Sequence, residues 1–169
     1  TNAAIVFAST VNSVSSALRA LTVSAGSAAV TFTGVVGGAS NGALGALTVN
    51  STGATTFSAA VTAASVTTNA GGTVAINGAS MTTSGSQIYN DAVTLGADVS
   101  FATTDSNLTF GSTLNSATSS RALTITAGTG TVTFTGAVGS TLALGATSIT
   151  AASVVHTGTF VGASTYAVT

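Results

Sequence analysis

The chain has 169 residues, of which only 3% are charged, against roughly a quarter in a typical soluble protein. A net charge of −1 and the absence of Cys exclude a basic face for nucleic acid, a polybasic patch for anionic lipid, and disulfide or thiolate chemistry. Mean hydropathy is +0.64, but Thr, Ser, Gly or Asn interrupts every apolar run before the roughly 18 residues that a spanning helix needs, so we expect no membrane span.

Leu-Thr-Val and Leu-Thr-Ile triplets divide the chain into units of similar length. Cutting before each triplet and its degenerate equivalents gives a period of roughly 25 residues, which lies in the range of repeat architectures. Such self-similarity decides the fold class before any other feature. The predicted units are 1–20, 21–46, 47–71, 72–98, 99–122, 123–147 and 148–169.

Within a unit the pattern is that of short β-strands. Val30–Thr33 and Val132–Thr135 alternate apolar and hydroxyl side chains with a period of two, as expected for half-buried strands. The runs are short and end at Gly, Asn or Ser, which favour tight turns. We therefore predict about three short strands per unit and no substantial helix.

Two distant segments of the chain are near-copies. Residues 21–37 (LTVSAGSAAVTFTGVVG) and 123–139 (LTITAGTGTVTFTGAVG) are identical at 11 of 17 positions, and the likeness extends back to Phe7 and Phe110. The numbers of equivalent positions differ by 102 or 103. Because this offset is about four times the period of the units, it predicts a higher-order repeat of four coils.

One large apolar residue recurs in each unit at nearly the same interval. Such spacing predicts a ladder of side chains stacked inside the molecule, about one strand spacing (~4.8 Å) apart. The predicted ladder residues are Phe7, Phe32, Phe57, Met81, Phe110, Phe134 and Phe160.

These features predict an all-β fold, a parallel β-solenoid of six to seven coils that forms one domain over 1–169. The absence of Pro agrees, because each coil must donate backbone hydrogen bonds to its neighbour. The competing fold is an antiparallel β-sandwich, which explains the alternation but not the single period.

Several segments resemble the β-strand-repeat arrays of very large secreted bacterial surface proteins, near the filamentous-haemagglutinin-type and autotransporter-type adhesins. They are 71–98 (GGTVAINGASMTTSGSQIYNDAVTLGAD), TLGADVSF, NLTFGSTLNSA and the second near-copy itself. The resemblance implies an extracellular or cell-surface β-solenoid used in adhesion, surface coating or fibre building. It implies no catalytic residues.

The acidic residues are the first candidates for a site. Asp91, Asp98 and Asp105 are evenly spaced, seven positions apart, and carboxylates can bind Ca²⁺ or serve acid–base chemistry. We favour turn or capping roles, because Asp98 and Asp105 fall between predicted strands and no partner completes a catalytic group. We expect no cofactor, with Ca²⁺ at these three residues as the alternative.

The remaining candidates are few. His156 is the single histidine and is expected at an exposed or edge position; Arg19 and Arg121 occupy equivalent places in the repeat and are expected as solvated turn residues or partner contacts. Alternating Thr along Thr131–Thr135 predicts exposed strand faces, with an ice-binding hydroxyl array as the alternative.

With so little charge, the surfaces of a free monomer would be poorly solvated, so we expect them to be covered, either by other copies or by the rest of a longer solenoid. The leading hypothesis is a non-enzymatic structural subunit of an extracellular bacterial fibre, sheath or surface layer, whose partner is itself, as a homopolymer or as neighbouring repeats of a longer array. The alternative is an adhesin passenger that binds glycan or host protein, with an ice-binding or polysaccharide-active β-helix ranked below it. Since residue 1 is Thr and no signal segment is visible, we expect a processed product or an excerpt of a longer array.

Overall fold

The computed structural model describes residues 2–14, 17–40, 42–162 and 164–168, with the backbone alone at 166. The described chain is all-β and forms a parallel β-solenoid of about eight turns. The predicted fold class is therefore confirmed, and the coil number and size are close to those predicted.

The strands form two parallel sheets. The six-stranded sheet contains β1 (Ile5–Phe7), β3 (Val30–Phe32), β5 (Ala54–Phe57), β7 (Thr73–Ile76), β10 (Ala92–Leu95) and β13 (Leu114–Ser116). The ten-stranded sheet contains β2 (Leu21–Gly26), β4 (Leu44–Ser51), β6 (Val61–Thr68), β8 (Ser80–Thr83), β9 (Gln87–Tyr89), β11 (Val99–Thr103), β12 (Leu108–Phe110), β14 (Leu123–Phe134), β15 (Thr147–His156) and β16 (Ser164–Val168).

The ten-stranded sheet bends into two faces, so that the chain passes three faces in each turn. We call the six-stranded sheet face 1; the other two are defined by their columns of inward residues. The face 1 column is Ile5, Val30, Thr55, Val74, Val93, Leu114, Val138 and Phe160. The face 2 column is Val11, Val36, Val61, Met81, Phe101, Ile125 and Ile149, whose backbone then pairs with position 166. The face 3 column is Leu21, Leu47, Val66, Gln87, Leu108, Val132 and Val154.

Coil length is not constant along the rod. On face 1, successive levels are occupied by Phe7, Phe32 and Phe57, whose numbers differ by 25. The column then continues to Ile76 and Leu95, with steps of only 19. The central coils are shorter because their strands are joined by tight turns, whereas the early coils carry longer loops between faces 2 and 3. The shortening explains why the rod has about eight turns instead of six or seven.

The unequal coils divide the predicted ladder among the three faces. Phe7, Phe32 and Phe57 stack on face 1 at ring-centroid distances of 4.7 and 5.1 Å. Phe110 and Phe134 stack on face 3 at 5.3 Å. Met81 lies in the face 2 column, and Phe160 lies on face 1 over Val138. The prediction that these residues lie inside is confirmed for Phe32, Phe57, Met81, Phe110 and Phe134. The prediction that they form one ladder is wrong, because an interval of about 25 residues is longer than one turn in the central coils.

The same effect places the two near-copies on different faces. The Leu-Thr-Val triplet at Leu21 lies on face 3, whereas the Leu-Thr-Ile triplet at Leu123 lies on face 2. The Val-Thr-Phe triplets at Val30 and Val132 lie on faces 1 and 3. The near-copies are therefore not four coils apart. The distance between them is five coils less one face.

Candidate functional site

The three aspartates lie at three different corners of the solenoid. Asp91 follows β9 on face 3, Asp98 follows β10 on face 1, and Asp105 follows β11 on face 2. Their spacing of seven positions is about one face of a central coil, so the spacing separates the carboxylates. Over the described parts of the chain, no cluster of three metal-ligating side chains is found.

Each aspartate instead accepts a backbone hydrogen bond from a neighbouring coil. Asp98 Oδ1 accepts from Ala122 N at 2.9 Å, and Asp105 Oδ1 accepts from Thr129 N at 3.0 Å. Asn107 does the same for Thr131 N at 2.9 Å. These side chains thus satisfy amides at corners, where the strand ladder is interrupted.

Asp91 differs from the other two because it is buried, with 2% of its surface exposed. Its Oδ1 accepts from Gly72 N at 2.7 Å. Burial raises the pKa of the Asp91 carboxyl above its usual range, and the Gly72 hydrogen bond opposes that shift in part. Burial at this corner thus disfavours the charged carboxylate relative to a carboxylate in water.

The two arginines have the same local role in both near-copies. The backbone amide of Arg19 donates to Ser13 Oγ at 3.0 Å, and that of Arg121 donates to Ser116 Oγ at 2.9 Å. Both serines are buried. Arg19 and Arg121 therefore have the same backbone contact, a hydrogen bond to a buried serine that precedes them by five or six residues.

His156 is partly buried on the last described level of face 3, an edge position as predicted, but it also stacks in an aromatic column, which the sequence did not predict. Its ring stacks on Phe134 at 4.8 Å and 5°, and the ring of Phe160 meets it edge-on at 5.2 Å. The side chain is half-buried, and burial lowers the pKa of the imidazole below its usual value. The residues next to His156 in the sequence could not predict this stacking, because the partner ring, Phe134, lies one full coil earlier in the chain.

A buried polar network occupies the centre of the rod, and no sequence pattern predicted it. Gln87 Nε2 donates to Met81 O and Ala102 O at 3.0 Å each, and Gln87 Oε1 accepts from Tyr89 Oη at 2.9 Å. Burial raises the pKa of the Tyr89 hydroxyl, which stays protonated and donates. Because Met81 and Ala102 lie on successive coils, this network ties two coils together through the core. The only sequence signal was the distinctive Gln-Ile-Tyr-Asn-Asp segment.

Hydroxyl groups dominate the outer surface of face 2. Two outward columns run along the rod: Ser80, Ser100, Thr124, Ser148 and Thr165, and beside them Thr62, Thr82, Thr126 and Thr150, interrupted by Ala102. A groove of about 400 Å³ borders this surface, lined in part by Leu18, Thr62 and Thr82. Leu18 is half exposed and has a positive φ of 45°.

The two ends of the solenoid expose its apolar core. The apolar side chains that pack against the core but are only partly buried are Ile5, Phe7, Val11 and Leu21 at one end and Val154 and Phe160 at the other. Of the exposed large apolar residues, Val6 lies at the first end and Val155 and Val161 at the second. The inward columns are thus less covered on the first and last described coils than on the coils between them.

No family model, curated protein or solved structure matches the chain. Among the described residues no helix is long and apolar enough to cross a bilayer.

Proposed function

We propose that the chain is a structural unit of an extracellular bacterial fibre, sheath or surface layer, which assembles through the ends and sides of its solenoid. The observation that carries the proposal is the partly buried apolar core at both ends of the rod. The proposal assigns no catalytic role and no cofactor to the chain, and its partner is another copy or the neighbouring repeats of a longer array.

The backbone at the ends supports the same proposal. β1 pairs with β3 on one side only, and β16 pairs with β15 on one side only, among the strands that the structure defines. Parallel strands with one open edge accept a further strand readily. Soluble proteins usually protect such edges with Lys, Pro or a covering element, and this chain has no Pro and only two basic residues in all.

The sides of the rod support lateral packing. With 3% charged residues, the rod lacks the mixed charge that keeps a small domain of this size apart from its copies. Hydroxyl columns of the kind found on face 2 can hydrogen-bond to a neighbouring rod, directly or through water.

The proposal is tested by imaging and sedimentation of the purified chain at neutral pH. One rod of about eight turns is roughly 38 Å long at ~4.8 Å per turn, and we expect filaments many times that length. Ile5→Lys puts a charge on the end of the core and should abolish the filaments. Thr124→Lys is the matched control on the side of face 2 and should leave end-to-end filaments intact; a wild-type chain that stays monomeric at high concentration would contradict the proposal.

A second candidate function is the binding of a glycan along face 2, favoured by the two hydroxyl columns and the adjoining groove. A hydroxyl-rich polymer can exchange hydrogen bonds with such a surface. Thr82→Val with Thr126→Val preserves side-chain shape and removes two hydroxyls, so it should weaken polysaccharide binding at least severalfold. The ice-binding alternative was predicted for Thr131–Thr135, which lies on face 3. Thermal hysteresis of the wild type and of Thr131→Val with Thr133→Val tests it, and the alternative predicts an effect only in the wild type.

A further inference from the structure

We propose that two copies of this rod pair side by side in antiparallel orientation along the corner between faces 2 and 3, so that Arg19 of each copy meets Asp105 of the other. The partner is a second copy of this chain. The proposal rests on the part of the proposed function that concerns the sides of the rod, and it uses neither end.

The corner between faces 2 and 3 has long connections at its first two levels and short ones at the next three. Residues 12–20 and 37–43 connect the faces at the first two levels. β6 passes the third level as one unbroken strand, and residues 84–86 and 104–107 make the turns of the fourth and fifth. In an antiparallel pair the long connections of each copy lie against the short ones of the other, so the two corners are complementary in shape.

The groove of about 400 Å³ lies at the step between the long and the short connections. Leu18 and Ala43 line it from the long connections, and Ala64, Ser84 and Thr104 line it from the three levels that follow. Its lining residues carry no charge. The groove is therefore a surface that an apolar side chain of a second copy can enter without desolvating an ion.

The loop beside this groove exposes two apolar side chains that its own folding does not require. Val14 and Leu18 are exposed by 68 and 51%. The equivalent loop of the second near-copy has the same hydrogen bond from an Arg amide to a buried Ser, but Ala117 and Ser120 stand in their places. Both of those residues are exposed although a coil lies beneath their loop. The exposure of Val14 and Leu18 is thus a property of the loop position, and a partner on the side of the rod would cover them.

The loop presents Leu18 and Arg19 in a fixed conformation. Leu18 has a φ of 45°, in the left-handed region that is unfavourable for leucine. The amide of Arg19 donates to Ser13 Oγ at 3.0 Å, and Gly45 N donates to Arg19 O at 2.9 Å. These bonds hold the strained residue in place, so less conformational entropy is lost when a partner binds it.

This corner carries one basic and one acidic side chain among the described residues. Arg19 comes two positions before Leu21 and Asp105 three positions before Leu108, and both charged residues are exposed. Successive neighbours on face 3 are Leu21, Leu47, Val66, Gln87 and Leu108. The four steps between them span roughly 19 Å at ~4.8 Å each, which is too far for the two charges to pair within one copy.

Antiparallel pairing brings the two charges together twice. A two-fold axis through the middle one of these five levels places Arg19 of one copy beside Asp105 of the other, and the symmetry creates the reciprocal pair. Parallel pairing would instead place Arg19 beside Arg19 and Asp105 beside Asp105, which repulsion between like charges opposes. The charges therefore select the antiparallel orientation.

Sedimentation of rods that carry Ile5→Lys tests the contact without end-to-end stacking. We expect these rods to form dimers. Arg19→Gln or Asp105→Asn should raise the dimer Kd about threefold or more, because each removes two exposed ion pairs per dimer. Asp98→Asn is the matched control and should leave Kd unchanged, since Asp98 accepts the same kind of backbone hydrogen bond at a different corner. An equal Kd for Asp105→Asn and Asp98→Asn would overturn the proposal.

The apolar side chains of the loop provide a second test. Leu18→Ser with Val14→Ala introduces the residues that the second near-copy has at these places. We expect the dimer Kd to rise about tenfold or more, because the two-fold axis doubles the loss of buried apolar area. Circular dichroism should show the same folded state. A folded variant with an unchanged Kd would contradict the proposed contact.

Engineered cysteines in the wild-type background test the orientation, because the chain has no Cys of its own. Antiparallel pairing places Leu18 of one copy beside Thr104 of the other. A short bis-maleimide should therefore link a mixture of L18C rods and T104C rods into dimers. Either variant alone should give roughly tenfold less product, because equal positions of the two copies are then ~19 Å apart. Dimers from L18C rods alone would show parallel pairing and overturn the proposal.

The outcomes distinguish this contact from end-to-end stacking. Wild-type filaments together with monomeric Ile5→Lys rods would overturn the side contact and keep the fibre. Dimers of Ile5→Lys rods without wild-type filaments would support the side contact and contradict end-to-end stacking. The absence of both filaments and dimers would overturn both.

Discussion

The segments 7–37 and 110–139 have nearly the same sequence and, among their described residues, share a corner hydrogen bond and a turn geometry, but they lie on different faces of the solenoid. Asn12 Oδ1 accepts from Ala39 N at 3.1 Å, and Asn115 Oδ1 accepts from Thr141 N at 2.9 Å. The glycine that ends each copy has a positive φ, 71° at Gly37 and 70° at Gly139. Corner hydrogen bonds and turn geometry are therefore properties of the segment itself.

The face that a segment occupies is set elsewhere. Between the two copies the chain makes central coils with steps of only 19 to 21 along the columns, and their total length decides where the second copy begins. The long loops of the two copies are carried to different corners for the same reason. Local sequence thus determines local bonding, and accumulated coil length determines orientation.

The largest expected difference between the copies is at their first aromatic residue. Phe110 is fully buried between Tyr89 and Phe134, whereas Phe7 is half-buried and stacks only on Phe32 among the described rings. Phe110→Ala should cost roughly 3–5 kcal/mol of unfolding free energy, and Phe7→Ala about half as much, because half of its contact area is missing. Denaturant unfolding of the monomeric rod measures both. Equal costs would mean that something already covers the Ile5 end.

A smaller effect is expected at the polar network of the central coils. Gln87→Ala removes the partner of Tyr89 Oη and of two backbone carbonyls, and each buried group left unsatisfied costs about 1–3 kcal/mol. We expect Gln87→Ala to lower the unfolding free energy by about 3 kcal/mol in total, and Tyr89→Phe to lower it by about 1 kcal/mol. The matched control is Val66→Ala, which opens a cavity one coil away without breaking a hydrogen bond. A loss for Gln87→Ala no larger than for an exposed Thr→Ala variant would show that the network does not hold the coils together.

A still smaller effect on stability is expected at the asparagine that accepts a backbone hydrogen bond at a corner in each copy, Asn12 and Asn115. Asn115 is buried and Asn12 is exposed, although each accepts one backbone hydrogen bond. Asn115→Ala should cost about 1–2 kcal/mol, and Asn12→Ala about 0.5 kcal/mol, because water replaces the lost partner at an exposed site. Thermal unfolding of the two variants measures the difference, and the reverse order would contradict the burial assigned to these corners.

The smallest effect concerns pH. Because burial raises the pKa of Asp91, the folded state binds its proton more tightly than the unfolded chain does. The unfolding free energy should therefore fall as pH rises from the ordinary Asp value of about 3.9 toward the raised pKa, and stay lower above it. Asp91→Asn keeps an oxygen for Gly72 N and should flatten this dependence. Asp98→Asn is the control, and an unchanged pH profile for Asp91→Asn would refute the prediction.

Much of the fold was predictable because it depends on local pattern. The alternation of Val30–Thr33, the turn residues between strands and the recurrence of large apolar residues indicated a parallel solenoid, and the structure confirms it. The assignment of aspartates to corners followed from the preference of Asp for turns. Each of these predictions needs only a few neighbouring residues.

The predictions that were wrong depend on the combined length of many intervening coils. Shortening one coil moves every later side chain around the axis, so Met81 and Phe110 could not be placed relative to Phe57 without the length of each intervening turn. The stacking of His156 was missed for the same reason, since its partner Phe134 is identified only by the register. The Gln87 network was missed because a buried amide and an exposed one look alike in sequence.

The central claim is that the coils shorten in the middle of the rod, and one pair of engineered disulfides tests it most directly. The structure places Thr56 beside Ala75 on face 1, whereas coils that stayed as long as the first ones would place it near Ser80. We predict that T56C/A75C forms an intramolecular disulfide under mild oxidation, detected by peptide mass spectrometry, and that T56C/S80C does not. A disulfide in T56C/S80C with none in T56C/A75C would show that the coils are of constant length and that the near-copies share a face.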